Sequence, residues 1–352
     1  MRARKLLLAH FFLLFSLPSI AIEHLFEGDK VTPIGTISIA DQPAGLAWVP
    51  SKWNFSATAS ALSKTYYEVQ DSSFQNQDSP LAIKPLYVAT GHGQPWGGWV
   101  LHLENVDVDF RSQASANTGG TSTDADVRAK VSRLNATLAA GLRISEHWSL
   151  GWGTRLIQTQ AEAMVISTST IGADKTLSVQ QGSYQGLNYA LSMGAIMEYP
   201  NLRLGLTLSS PQQLISEGGE NSTQQLTTIG DEYTQNKVNY LLDRNQDWLI
   251  NAGMRIGRAG SAVFFSDSYS TAGSHKPTIG WEYRGEWALW ALSSSYQNFK
   301  GRTDLAFTAG LVSKSENFDW GFGPSYQVIY DNSPGAINSR NINLLYATEI
   351  RY

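Results

Sequence analysis

Apolar and polar residues alternate with a period of two through most of the chain after residue 52. In 134–144, leucine, alanine and isoleucine alternate with asparagine, threonine, glycine and arginine, and 148–156, 202–208 and 320–330 repeat the pattern. Successive side chains of a β-strand point to opposite faces, so each segment is predicted to be a strand with one apolar face. A soluble β-sandwich also alternates, but aromatic residues at strand ends, such as Trp148, are typical of membrane barrels.

These segments predict an all-β fold, a transmembrane antiparallel β-barrel of about fourteen strands. The connections alternate between short, such as 145–146, and long, such as 111–126, as in outer-membrane barrels with short periplasmic turns. Twelve or sixteen strands are alternatives, because 176–198 is long for one strand and the longest loop, 210–246, could contain another element. The strands are predicted at about 53–68, 81–91, 97–110, 127–144, 147–167, 176–198, 201–209, 247–257, 261–270, 276–284, 287–298, 303–313, 318–330 and 340–352.

The last predicted strand ends the chain on an aromatic residue. Its alternation, with Tyr346, Ile350 and Tyr352 on one face, resembles the carboxy-terminal signal by which outer-membrane barrels are recognised for insertion. The barrel insertion machinery is therefore an expected partner during biogenesis. As the closing strand, it would leave no unpaired edge in lipid.

The amino terminus has the layout of a secretory signal peptide. Arg2, Arg4 and Lys5 precede the apolar run 6–17, and a small-residue cleavage site ends at Ala21. A membrane anchor is the alternative, but the run is shorter than the roughly 20 apolar residues that span a bilayer. Residues 1–21 are predicted to be removed on export.

Residues 22–52 do not alternate, and glycine and proline interrupt them, which argues against a membrane strand. The apolar cluster that includes Leu46 and Trp48 favours packing against the barrel wall. We therefore predict three parts: the signal peptide, a plug or hatch over 22–52, and the barrel over 53–352.

Composition narrows the function classes. Charged residues make up 16% of the chain, below the roughly 25% of soluble domains, while Gly 31, Tyr 15, Trp 11 and Phe 13 are abundant. The absence of cysteine excludes disulfides, thiolate metal sites and a cysteine nucleophile. We expect no cofactor, no metal and, with a net charge of −4, no nucleic-acid partner.

Three short runs resemble the long-chain fatty acid and hydrocarbon transporter family of the outer membrane. Gln42-Pro43-Ala44-Gly45-Leu46 is similar to the family's Asn-Pro-Ala-Gly-Leu element, with Gln42 in place of asparagine. The segments 138–153 and 194–211 are similar to two of its glycine-flanked periplasmic hairpins. The resemblance implies a fourteen-stranded barrel, an amino-terminal hatch and passage of hydrophobic molecules through an opening in the wall. The chain and its plug are shorter than in typical members.

The third predicted strand contains a candidate for such an opening. Apolar residues lie on one parity up to Leu103 and on the other from Val106, with Glu104-Asn105 between them. A one-residue slip of this kind predicts a β-bulge. The resemblance implies a lateral gate at an inward kink of the third strand. The alternative is that the strand has already left the membrane, where its faces no longer matter.

Alternation also points several charged residues into the lumen. An inward arginine could bind a carboxylate head group, but internal ion pairs, such as Arg351 with Glu349 or Glu282, are the more economical explanation. The inward charges are Arg133, Arg143, Arg155, Arg203, Arg255, Glu282, Glu349 and Arg351.

The function predicted from these features is uptake of hydrophobic molecules, such as long-chain fatty acids, by a monomer surrounded by outer-membrane lipids. A general porin would have an open polar lumen, which the segment 22–52 argues against. An outer-membrane enzyme would need a nucleophile and base, and none of the histidines lies in a Ser/His/acid arrangement. A structural or adhesive surface protein would favour longer loops.

Overall fold

The computed structural model describes thirteen stretches of the chain, and the predicted signal peptide, most of 22–52 and Tyr352 lie outside them. The described residues are 42–48, 53–69, 74–75, 84–118, 121–171, 174–227, 231–237, 247–258, 260–286, 288–299, 301–313, 318–331 and 337–351.

Nearly all of these residues belong to one antiparallel sheet, and a short 3-10 helix, Pro43–Trp48, precedes it. The strands are β1 Trp53–Val69, β2 Phe74–Gln75, β3 Lys84–Gln94, β4 Gly97–Thr118, β5 Thr121–Arg143, β6 Trp148–Ile171, β7 Asp174–Tyr199, β8 Leu202–Ser209, β9 Gln213–Thr227, β10 Asp231–Lys237, β11 Leu249–Arg258, β12 Ser261–Ser270, β13 His275–Arg284, β14 Ala288–Phe299, β15 Arg302–Ser313, β16 Phe318–Asp331 and β17 Ile337–Arg351.

The sheet closes because β1 pairs with β17 on one side and with β3 on the other. β8 and β9 both pair with β7 and continue each other along one position of the wall, as β11 and β10 do along the next. With the two-residue β2 as a short addition beside β4, the wall is a closed barrel of 14 strands. The predicted fold and strand number are confirmed.

Alternation along the strands separates an apolar exterior from a lumen of small and polar residues. In β6, Trp148, Leu150 and Trp152 are exposed, while Ser149 and Gly151 between them are buried. Soluble proteins rarely expose such a continuous apolar surface, so this face lies in the hydrocarbon layer. The protein is therefore located in the outer membrane. Among the described residues, no helix is long and apolar enough to cross a membrane.

Two predicted loops are strands. The segment 111–126 forms the outer ends of β4 and β5, which stay paired up to Thr118↔Thr121, and 210–246 contains β9 and β10. A strand needs about 9–11 residues to cross the bilayer, so the rest of β4 to β7 extends above it. There both faces meet water, and the period-two pattern that revealed the membrane strands disappears.

Candidate functional site in the barrel lumen

A row of glycines crosses the inner wall near the short turns. Gly93 pairs with Gly98, Gly98 with Gly141, Gly141 with Gly151, and Gly151 with Gly194, so the row spans β3 to β7 in register. Because five adjacent strands carry no side chain at this level, the inside of the barrel has a smooth, shallow surface here.

The 3-10 helix Pro43–Trp48 packs on this surface, and its residues from Pro43 to Ala47 are buried. A Cβ added at Gly98 would lie 2.6 Å from the backbone oxygen of Leu46, and one at Gly141 would lie 2.7 Å from that of Pro43. Backbone therefore approaches backbone, which an alanine at either position would prevent.

Gln42 anchors the start of the helix. Its Nε2 donates to the backbone oxygens of Ala195 on β7 (3.3 Å) and Leu206 on β8 (3.2 Å), and its Oε1 accepts from the backbone N–H of Ala44 (3.3 Å). A Cβ at Gly194 would overlap Oε1 of Gln42. The predicted plug residues Gln42, Pro43, Ala44 and Gly45 thus all lie against the lumen wall.

Trp48 anchors the other end of the helix. Its Nε1 donates to Oγ of the buried Ser149 at 3.1 Å. The guanidinium carbon of Arg143 lies 4.2 Å from the centroid of the Trp48 ring, a cation–π contact. Arg143, predicted as a lumen charge, therefore contacts the helix at the periplasmic rim.

Three of the predicted lumen charges, together with Glu198, form two ion pairs near the same end. Arg203 makes a bidentate contact with Glu198, and Arg255, which lies opposite Arg203 on the next strand, pairs with Glu282. Arg255 and Glu282 are almost fully buried and meet across β12.

The remaining predicted charges differ in their surroundings. Nε of Arg155 donates to Oγ1 of Thr137 at 3.3 Å, whereas the buried Nε of Arg133 has no hydrogen-bond partner among the described residues. The strand positions of Glu349 and Arg351 are described but not their side chains. Glu282 pairs with Arg255, and its predicted alternative pairing with Arg351 lies outside the described side chains.

A cavity of about 280 Å³ lies above the glycine row and is bordered by several inward residues. The charged side chains of its described lining are Arg155 and Lys276, both cationic, and Asn251 and Gln297 add neutral polar groups. Lys276 is paired with Asp304 at 3.0 Å. In the described part of the chain, no cluster of histidine, aspartate and glutamate could hold a metal ion.

Among the described residues, the pairing of β4 with β3 ends close to the predicted gate, but the predicted bulge in β4 is wrong. The register of β4 with β5 is unbroken from Gly97 to Thr118, because the strand simply continues into water beyond the membrane. Pairing of β3 with β4 instead ends at Tyr87↔Glu104. Among the described residues, β4 is next paired on that side at Gln113.

The irregularity belongs to β3. Its register with β1 shifts between Thr58 and Ala59, at the level where its pairing with β4 stops. Of the gate candidates, Leu103 is exposed on the outer face and Glu104 accepts a hydrogen bond from Nδ2 of Asn135 at 2.8 Å. Asn105 is half-buried, and the side chain of Val106 is outside the described part.

Sequence reasoning missed the glycine row and the acceptors around Lys276. Glycines at 93, 98, 141, 151 and 194 were visible, but their alignment depends on the register of four strand pairs. Asp304, which contacts both Lys276 and Gln327, lies on a strand where one inward carboxylate gives no signal by itself.

Lumen and wall together define an outer-membrane β-barrel with a helix packed inside its periplasmic end. No family model matches the chain, and no curated protein matches it either.

Solved structures give the comparison that the sequence does not. The chain is similar to the toluene transporter TbuX of Ralstonia pickettii, with 12% identity over 96% of this chain and 100% of that one, at a TM-score of 0.70. It is also similar to the CymD monoaromatic hydrocarbon channel, with 10% identity over 96% and 98% of the two chains, at 0.70. A FadL homologue of Pseudomonas aeruginosa covers 92% of this chain and 96% of its own at 9% identity, with a TM-score of 0.63.

The chain therefore has the fold of these outer-membrane channels. The resemblance to the long-chain fatty acid and hydrocarbon transporter family is confirmed at the level of the fold. These neighbours are transport channels rather than enzymes.

Proposed function

We propose that the protein takes up hydrophobic molecules across the outer membrane through a plugged barrel. The observation that carries the proposal is the 3-10 helix seated on the glycine row inside the lumen. Toluene and monoaromatic hydrocarbons are named for two of the structural neighbours, and FadL for a third. A greasy cargo is consistent with that fold.

In this proposal, the segment around the helix is a plug. Its buried contacts reach five wall strands, β3 to β7, and Gln42 adds hydrogen bonds to β7 and β8. A segment held to about half of the wall blocks straight passage of ions and polar solutes through the periplasmic end. A general porin would leave this end open.

The exit for hydrophobic molecules is the discontinuity between β3 and β4. A gap in a barrel wall at membrane depth lets an apolar molecule enter the hydrocarbon without crossing the plug. Leu101 and Leu103 are exposed on the outer face just below the end of pairing, so the lower margin of the exit is apolar. Glu104, Asn105 and Val106 are its proposed border on β4.

The cavity favours an amphipathic cargo, such as a long-chain fatty acid, over a neutral hydrocarbon. Arg155 and Lys276 both carry positive charge, and a carboxylate is the anionic group that such a pair binds well. We assign the contact with the cargo to Arg155, because its planar guanidinium can bind a carboxylate through two parallel hydrogen bonds.

Uptake into proteoliposomes, with the purified barrel, tests the proposal. Long-chain fatty acid and toluene should both enter faster than into empty liposomes, while planar-bilayer recordings show little steady ion current. Large steady currents without faster uptake would support a porin and contradict the plug. Hydrolysis of ester or peptide substrates by the same preparation would support an enzyme instead.

Arg155→Gln separates the two cargo classes. The substitution should lower uptake of the fatty acid about ten-fold, the order of one lost charge-assisted contact, and leave toluene uptake unchanged. The control Arg128→Gln removes an exposed arginine of the outer hairpin, where the hydrogen bond with Asp126 raises the pKa of Arg128 and keeps it charged. Equal loss for both cargoes would contradict a carboxylate site.

A further inference from the structure

A groove of about 560 Å³ crosses the lipid-facing side of the barrel over β12 to β16. Its sides are large apolar side chains, and Trp281, Leu292 and Phe307 are exposed there. Small residues form the floor. Ser294 of β14 pairs with Ile279 on one side and with Phe307 on the other, and Ala309 of β15 pairs with Leu292. The groove is therefore a local depression in an otherwise bulky apolar surface.

The wall beneath the groove lacks part of its hydrogen-bond ladder. β15 and β16 pair up to Thr308↔Ser325 and again from Leu311↔Phe322, with the same register on both sides. The two intervening positions, Ala309 opposite Pro324 and Gly310 opposite Gly323, form no ladder pair, and Ala309 and Pro324 line the groove.

Pro324 and Gly323 explain the interruption. Proline has no backbone N–H to donate to the neighbouring strand, and inside sheets it occurs at irregularities. A Cβ at Gly323 would overlap the backbone oxygen of Ala309, so the two backbones approach closely instead of forming the regular ladder. The floor is thus built from backbone, the methyl group of Ala309 and the small side chain of Ser294.

The nearby aromatic residues indicate how far into the bilayer the groove lies. Tyr283 and Trp290 form an exposed cross-strand pair, two residues nearer the short turns than Trp281 and Leu292. Exposed aromatic residues at such a position are typical of the belt at a membrane interface. Trp281 and Leu292 lie two residues further along the tilted strands, about 5 Å into the hydrocarbon at roughly 3.3 Å per residue. The groove consequently faces the periplasmic leaflet.

We propose that this groove is a binding site for one acyl chain of a membrane lipid of the periplasmic leaflet. The surface that the groove exposes is almost entirely apolar, which suits a hydrocarbon chain. A second copy of the protein is a poorer occupant, because stable interfaces bury about 800 Å² per partner and a single groove offers far less. Binding there is independent of the lumen and of the proposed uptake.

Photo-labelling in proteoliposomes tests the site with a phospholipid that carries a diazirine on its acyl chain. We expect labelling at Leu292 and Phe307 to exceed, several-fold, the labelling at Leu138 and Trp152. Those two residues on β5 and β6 are at least as exposed to lipid but do not line the groove.

Ala309→Phe fills the floor and should reduce the excess labelling to the level of the β5–β6 face. Ala140→Phe is the matched control: it is half-buried in the outward row between Trp99 and Trp152 and should leave groove labelling unchanged. Ser294→Phe fills the same floor from β14 and provides a second variant if Ala309→Phe assembles poorly.

Equal labelling of the two faces, or excess labelling that survives both filling variants, would overturn the proposal. Chain-to-chain crosslinks at the groove in place of lipid labelling would also overturn it, in favour of a second copy. Ala309→Phe should retain uptake and low ion current because the groove lies outside the lumen. A failure of the lipid site is therefore distinguishable from a failure of the proposed uptake.

Discussion

At the scale of single residues, small differences in side-chain size decide where the 3-10 helix packs on the lumen wall. Gly151 and Gly153 occupy successive inward positions of β6, yet only Gly151 lies under the 3-10 helix. The difference makes these two glycines a matched pair for testing the docking surface.

Gly151→Ala should unseat the helix, because its Cβ would overlap the backbone of Pro43 and Ala44. Steady ion conductance in planar bilayers should rise about ten-fold or more as the wide lumen opens. Gly153→Ala is the control, since its Cβ meets only Oγ of Ser192 at 2.9 Å, Cβ of Ala139 at 3.1 Å and the Leu138 backbone oxygen at 3.5 Å. Equal conductance of the two variants would count against the docking of the helix as a plug.

Glu282→Ala should destabilise the barrel by about 3–5 kcal/mol, because Arg255 would stay buried without this carboxylate. Glu198→Ala removes the partner of Arg203 in a more exposed pair and should cost about 1 kcal/mol or less. Urea unfolding in lipid vesicles measures both changes. Similar losses for the two variants would contradict the difference in burial as the cause.

At the scale of elements, the length of a strand and the length of its pairing are separate properties. β4 continues to Thr118 along β5, but its pairing with β3 ends at Glu104. The proposed exit depends on the second property alone.

Deletion of Asn105 should abolish uptake of hydrophobic cargo while the barrel still assembles. It shifts the part of β4 beyond Glu104 by one residue, which reverses the faces of that part at the proposed exit. Deletion of Ser112 is the control, because it shifts only the outer part of the β4–β5 hairpin. Uptake assays and heat-modifiable migration of the folded barrel check the result, and normal uptake after Asn105 deletion would refute the exit.

At the scale of the whole molecule, closure between β1 and β17 completes the barrel. Tyr346 and Ile350 lie in β17, where they pair with Ala59 and Phe55 of β1. Their predicted role in insertion, with Tyr352, is a matter for experiment.

Tyr352→Ser should reduce several-fold the amount of folded protein in the outer membrane, because it removes the terminal aromatic residue of the proposed insertion signal. Tyr330→Ser is the matched control. Tyr330 is also an exposed aromatic residue, but it lies near the end of β16, on the side of the barrel away from the carboxy terminus. Cell fractionation and heat-modifiable migration quantify assembly. Equal amounts of both variants would argue against a terminal signal.

Most of the wall could be predicted from the sequence. The prediction for β12, 261–270, coincides with Ser261–Ser270. For most other strands, the predicted end that lies in the membrane is within three residues of the observed end. A lipid exterior and a polar lumen impose period two on each strand, so the signal is local. Above the membrane this constraint is lost, and the sequence pattern does not distinguish β9 and β10 from a loop.

The sequence by itself determined the class of fold, a count of about fourteen strands and the inward position of residues such as Arg143 and Arg255, because alternation is a property of each strand alone. Only the tertiary structure decided that the glycines of five strands align under the 3-10 helix, that Glu282 pairs with Arg255, and that β3 leaves β4 at Glu104. These features depend on the register between strands, which side-chain alternation within a single strand does not encode.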